Sequence, residues 1–121
     1  MCEKEVIGLT EKIDVFSKDK SRRVFARIDT GAATSSIDVA LASALNLGPI
    51  LKVKSVKSSL GKDKRPVVRV NVRIKHLEVS GYFTVADRGH MKYPVLIGRN
   101  ILRKIPVFID PSIKNTANRL K

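Results

Sequence analysis

Apolar and polar residues alternate with a period of two along much of this chain. In Val68-Arg69-Val70-Asn71-Val72-Arg73-Ile74-Lys75 the alternation is strict, which predicts a strand with one aliphatic face and one face carrying Arg69, Arg73 and Lys75. Shorter β-branched runs predict strands over residues 5–10, 12–16, 77–86, 93–98 and 107–109. Residues 18–23 read as a polar connection. They lead into a strand in which Phe25, Ala26 and Ile28 are expected to face buried surroundings. The longest β-like region, residues 50–59 and 66–78, is interrupted by the polar stretch 58–65, which reads as an exposed hairpin tip.

Two short segments depart from this rhythm. Asp38 is a good N-cap for a helix over residues 39–45, and Gly48-Pro49 is a strong stop. Val39, Leu41, Ala42 and Leu45 give that helix an apolar face to pack on the sheet. Residues 99–104 fit a second short helix. Asp110-Pro111 ends the last strand, and the polar, basic tail from Ser112 is expected to be loosely ordered. With 121 residues, 43% of them hydrophobic, the chain has room for one mostly β domain over residues 1–121. No internal repeat divides it.

Charge adds a partner class. Lys and Arg number 24 against 11 Asp and Glu, a formal net charge of +13, which attracts polyanions or acidic polypeptides. The lysines are scattered and no aromatic-rich nucleic-acid motif interrupts them, so RNA or DNA is the less favoured partner. Cys2 is the single cysteine and cannot form an internal disulfide. No apolar run is long enough to span a bilayer, and no signal-peptide pattern is present, which makes a cytoplasmic location the expectation.

The candidate chemistry centres on Asp29-Thr30-Gly31-Ala32, followed by Ser35. Asp29 leaves a strand at a turn that Gly31 makes possible, and Thr30 and Ser35 offer hydroxyls to tie the loop down. Read alone, the tetrapeptide also fits an ordinary Asx-turn. Cys2, His76 and His90 lack metal-ligand spacing, and no Gly-x-x-x-x-Gly-Lys-Ser/Thr loop is present, so neither a metal nor a cofactor is expected.

Taken in order, Asp29-Thr30-Gly31-Ala32, a hairpin tip at Leu60-Gly61, and Leu96-Ile97-Gly98-Arg99 before a short helix resemble the plan of a retropepsin. Ile7-Gly8-Leu9, Val56-Lys57-Ser58-Ser59, Arg65-Pro66-Val67, Met91 to Arg99 and Asp110-Pro111 are similar to one retropepsin-like branch. That branch is often labelled ATP-dependent zinc proteases, and its members are associated with ATP-grasp ligases. The resemblance implies a closed β-barrel of the acid-protease fold and a homodimer in which Asp29 meets its own copy. It also implies aspartic peptidase activity on a peptide, with acidic or glutamate-rich tails as a substrate class.

By the same resemblance Thr30 bridges the two loops, Gly31 contacts substrate backbone, Ala32 completes the loop and Ser35 braces it. Ser59, Leu60, Gly61 and Lys62 belong to the flap. Leu96 and Ile97 precede Gly98, which lets the strand pass close to the catalytic loop, and Arg99 has a structural role. Ala33 and Thr34 stand where retroviral enzymes carry acidic residues, and the flap is basic. The alternative is a non-catalytic module that uses the same fold to hold an acidic protein or RNA.

Overall fold

The computed structural model describes residues 3–58 and 61–116, so Cys2, the flap residues Ser59 and Leu60, and the tail beyond Thr116 lie outside the described residues. The strictly alternating segment forms the second half of a 14-residue strand, β6 (Gly61–Ile74), with Val68, Val70, Val72 and Ile74 buried. It pairs on one side with β7 (Leu77–Ala86) and on the other, first with β5 (Lys52–Ser58) and then with β2 (Thr10–Phe16). Starting from β2, the order continues through β3 (Ser21–Ile28), β8 (Val95–Ile97), β4 (Ser35–Asp38), β7 and β6, and the β2–β6 pairing closes six strands into a barrel. β5 is appended outside that closure. β1 (Glu5–Ile7) and β9 (Val107–Ile109) form a separate parallel pair.

The core is the aliphatic inner face of these strands, with Ile13, Val15, Ala26, Ile37, Phe83, Val95 and Ile97 almost wholly buried. Where the barrel closes, Asp14 of β2 sits between Arg23 of β3 at 2.8 Å and Arg73 of β6 at 3.9 Å. The hydrogen bond from Arg23 holds the Asp14 carboxyl below its usual range, with both guanidinium charges adding to the effect against a smaller opposing effect of burial. Helix α1 (Val39–Ala44) starts at Asp38, whose side chain accepts from the Ala40 amide, and α2 (Arg99–Leu102) buries Ile101.

Several sequence expectations are corrected here. Phe25 is 39% exposed, beneath the Lys12 ammonium, because only Ala26 and Ile28 share the inward face of β3. Val39 is likewise half exposed, since the helical period that brings Leu41, Ala42 and Leu45 together turns it away. The polar stretch after the tip is not loop: Gly61 to Arg65 are paired with Lys54 to Ser58 as an extended ribbon. Exposure of both ribbon faces removes the apolar alternation that marks a half-buried strand. The supposedly loose segment after Ser112 is held as far as Thr116. Leu9 and Thr10 amides donate to Ile113 and Lys114 carbonyls, and Asn115 and Thr116 are buried.

Glu11 explains much of that anchoring. It occupies an inward position of β2, in step with Ile13 and Val15, and is 3% exposed. Its carboxyl accepts from the Gly8 amide at 2.8 Å, the Thr116 amide at 3.1 Å and the Thr116 hydroxyl at 2.7 Å.

Candidate active site

Strands β3 and β8 run parallel, with Ile28 opposite Ile97, so the chain leaves both strands at the same end of the barrel. The Asp29 turn and Gly98 therefore emerge side by side. The Asp29 amide donates to the Ile97 carbonyl at 2.9 Å, which fixes the residue at the strand end. Its Oδ1 accepts the Gly31 amide at 2.9 Å in an Asx-turn, while Oδ2 receives no hydrogen bond from the described residues. Gly31 does not adopt positive φ; its lack of a side chain instead keeps space near Asp29 Oδ1, 3.2 Å from where a Cβ would stand. The carboxylate is thus held through one oxygen and half-buried, with the other oxygen uncommitted.

The segment after β8 locks the loop from behind. The Arg99 amide donates to the Ala32 carbonyl at 2.8 Å, and Arg99 Nη1 donates to the Thr30 carbonyl at 2.9 Å. Ser35 is fully buried, and its hydroxyl accepts from the Gly98 amide at 2.9 Å while donating to Asn100 Oδ1 at 2.8 Å. Thr30 is exposed, with its carbonyl turned to Arg99. Leu96 lines the cleft described below, whereas Ile97 is buried in the core.

Asn100 escapes sequence reasoning, although it connects three elements. Its Oδ1 accepts from both the amide and the hydroxyl of Ser35, and its Nδ2 donates to the Tyr82 carbonyl on β7. Its neighbours lie 65 and 18 positions away in the chain, so the only local signal is a polar residue directly after Gly98-Arg99 in a short helix.

Gly98 shows why the packing tolerates no side chain there. A Cβ would lie 2.8 Å from both the Ala32 and Thr34 carbonyl oxygens. Backbone oxygens cannot swing aside as a side-chain end can, so Gly98→Ala is expected to cost about 1–3 kcal/mol through overpacking. Urea unfolding of the two proteins measures this directly, and an unchanged midpoint would contradict the close approach.

The β5–β6 ribbon lies over the loop. Lys54 Nζ donates to Thr34 Oγ1 at 2.9 Å, linking ribbon to loop. Gly61 follows the tip with φ of 116°, a conformation that favours glycine, and Lys62 is exposed opposite Lys57. Between ribbon and loop is a cavity of about 430 Å³, lined by residues that include Ala32, Thr34, Lys54, Lys57, Arg65 and Arg88. Its charged lining is wholly cationic. A neighbouring cavity is lined by Thr34, Val53, Val67, Tyr82 and Asn100 among others. Burial pushes the Arg88 guanidinium pKa down, and the nearby charges of Arg65 and Arg27 push the same way against the opposing effect of Asp38. The cavity therefore has a positively charged wall and reaches Ala32, Ala33 and Thr34 of the loop that Asp29 begins, while Asp29 itself is not part of its lining.

The residues do not fit a zinc ion. Among the described residues no three His, Cys, Asp or Glu side chains cluster, and His76 lies exposed at the β6–β7 turn, 3.2 Å from Glu5. No helix among the described residues is long and apolar enough to cross a membrane.

Comparisons with known proteins agree with this architecture. The chain shares 22% identity and a TM-score of 0.68 with Lpg0085, a protein of unknown function from Legionella pneumophila subsp. pneumophila str. Philadelphia 1, over 94% of this chain and 98% of that one. It aligns with the EIAV protease in complex with the inhibitor HBY-793 at 21% identity and a TM-score of 0.62, covering 78% and 85% of the two chains. The Simian foamy virus (mac) protease matches at 13% identity and a TM-score of 0.56, over 76% and 89%. At these identities the likeness is one of fold, and the fold is retropepsin-like. No curated protein matches the sequence. The RimB-like family model, described as retropepsin-like aspartic endopeptidase RimB, matches residues 40–120, which begin in α1 beyond the Asp29 turn. Covering more than half of the sequence, that match identifies the chain as a member of the RimB-like family of retropepsin-like proteins.

Proposed function

We propose that the protein is an aspartic endopeptidase that works as a homodimer, each subunit giving one Asp29 to a shared site. The observation that carries this reading is the Asp29 carboxylate itself, braced through Oδ1 with Oδ2 uncommitted, on a loop locked to Gly98 and Arg99. One carboxylate cannot both activate water and protonate a carbonyl. A two-fold axis beside the loop supplies the second from an identical chain.

In the paired site the two carboxyls hold one proton between them, a coupling well established for aspartic proteases. The ionised carboxylate takes a proton from water as its oxygen bonds to the scissile carbonyl carbon. The protonated partner gives its proton to the carbonyl oxygen, producing a neutral tetrahedral diol. Protonation of the amide nitrogen and cleavage of the C–N bond then release an amine and a carboxylic acid. Thr30, exposed at the loop crest, bridges the two loops, Gly31 contacts substrate backbone, and the ribbon tip covers the substrate.

The cationic cleft wall and the net charge of +13 support an acidic peptide or glutamate-rich tail as substrate. An ATP-grasp ligase that adds glutamate is the kind of enzyme that would generate such a tail. A serial dilution tests the dimer requirement. Cleavage per subunit of an acidic peptide should fall in step with the dimer fraction seen by sedimentation. Constant activity where monomer dominates would refute the shared site. Salt-sensitive peptide binding without any hydrolysis would instead favour the binding-module reading, which the same cationic wall supports.

A further inference from the structure

On the outside of the barrel, strand pairing gathers side chains that the sequence scatters. The register sets Asp14 between Arg23 and Arg73 and, two residues on, Phe16 beside Asn71. Arg69 follows on β6, opposite Tyr82 of β7. These residues share the outward face, because the alternate residues Ile13, Val15, Val70 and Val72 fill the core. The β2–β3 turn, in which the Ser17 amide donates to the Lys20 carbonyl at 2.8 Å, stands beside this face. One cavity of about 340 Å³ is bounded by the turn, Leu47, Arg69 and Asn71, and another of about 430 Å³ by the turn, Arg23 and Arg73. Phe16 lines both, so together they form one groove, at the end of β3 opposite to Asp29.

The groove is cationic, with Lys18, Lys20, Arg23, Arg69 and Arg73 against Asp14 and Asp19. What those cations still offer decides the ligand. Arg23 Nε donates to Asp14 at 2.8 Å, Arg73 donates to Glu78 through Nε at 3.1 Å and also through Nη2, and Arg69 Nη2 donates to Ser80 Oγ at 2.9 Å. With these guanidinium forks engaged, a carboxylate finds little of the two-pronged pairing that makes arginine a strong carboxylate partner. The faces of the groups remain. The Arg73 guanidinium lies over the Phe16 ring, 5.7 Å from its centre, and that of Arg69 lies 5.8 Å from the centre of Tyr82. Rings and guanidinium planes stack on nucleobases, and lysine ammoniums meet phosphates as point charges. Lys18 is exposed, and Lys20 reaches only the Ala44 carbonyl, at 3.4 Å.

We propose that this groove binds single-stranded RNA, with a base stacked at Phe16, phosphates at Lys18 and Lys20, and ribose hydroxyls at the Asn46 and Asn71 amides. The sequence lacks an aromatic-rich nucleic-acid motif because the platform is built across strands: Phe16 comes from β2, Arg69 and Arg73 from β6, and Tyr82 from β7. Asn46 and Asn71 are exposed and line the same cavity. A side-chain amide both donates and accepts, as does a 2′-hydroxyl, which favours RNA over DNA. Alternation of cation and ring favours a nucleic acid over an acidic polypeptide, which has charge to offer the lysines but no base to stack.

The test is fluorescence polarisation of a labelled hexauridylate with the full chain. At about 150 mM salt a Kd of about 10⁻⁴–10⁻⁶ M is expected, the range of sequence-independent binding. Phe16→Leu, which keeps an apolar side chain but no ring, should weaken binding about tenfold at unchanged ellipticity. Lys18→Gln, on the exposed turn, should make the slope of log K against log salt shallower by about 0.7, the contribution of one phosphate contact. Lys57→Gln, on the β5–β6 ribbon, removes the same charge and should leave affinity and slope as they were. Absence of binding overturns the proposal, and so does full affinity in Phe16→Leu. Equal effects of the two lysine changes would assign binding to net charge and also overturn it. A deoxyuridine hexamer that binds as tightly as hexauridylate overturns the assignment to RNA. Displacement of hexauridylate by hexa-aspartate at equal concentration would give the groove to an acidic polypeptide instead.

Discussion

Exchange of Asp29 for Asn is expected to lower peptide hydrolysis by a factor of about 10²–10⁴, the range that positioned acid–base groups contribute. The fold should survive the change. The amide oxygen of Asn can still accept from the Gly31 amide, so the Asx-turn that shapes the loop is kept. The second oxygen becomes an NH₂ group, which neither takes a proton from water nor returns one to a carbonyl. Dimerisation adds a sharper form of the same experiment. Mixing the variant with unaltered protein should depress activity beyond simple dilution, because each hybrid dimer carries one functional carboxylate. Full hydrolysis by Asp29→Asn would remove Asp29 from the chemistry, whereas activity in mixtures that tracks only the unaltered fraction would remove the shared site. Urea unfolding of both proteins separates this from loss of structure.

Glu11→Ala should produce the largest loss of stability. The substitution leaves two buried backbone amides, those of Gly8 and Thr116, without an acceptor, and also strands the Thr116 hydroxyl. Each orphaned backbone donor costs about 1–3 kcal/mol, for a total of about 2–6 kcal/mol. Against a typical net stability of about 5–15 kcal/mol this is a large fraction. Denaturant unfolding measures the sum. Hydrogen exchange locates it: the amides of Leu9 and Thr10, which donate to Ile113 and Lys114, should lose protection before those of β6 and β7. Glu11→Gln keeps one acceptor oxygen and should fall between the two proteins. Equal stability of Glu11→Ala and the unaltered chain would mean that the 113–116 segment is not tied through this carboxyl.

The barrel was legible where a strand has one wet and one dry face. Residues 68–74 show this alternation, and the structure buries the apolar set. Asp38 likewise announces its helix because capping is a local interaction. Legibility failed where polarity carried no periodic signal, as in the ribbon from Gly61 to Arg65, and where a partner is remote in sequence. Glu11 carries no local signal of its burial, because its partner Thr116 comes from 105 positions away. Asn100 was missed for the same reason, because it makes its contacts through Ser35 and Tyr82. The Asp29-Thr30-Gly31-Ala32 turn itself was readable, but its attachment to Gly98 and Arg99 depends on two parallel strands ending together.

The position of β5 outside the closed barrel has a further consequence. Among the described residues it pairs with β6 alone, so the opposite side of the strand is an open β edge beside the cleft. An open edge is a template on which other extended chains, including those of neighbouring molecules, can grow a sheet. Lys52, Lys54 and Lys57 are distributed along this strand. Their repulsion discourages a second copy of the same basic strand from adding there, while an extended chain of opposite charge meets no such barrier. The lysines beside the cleft thus also decide which backbones can join the edge.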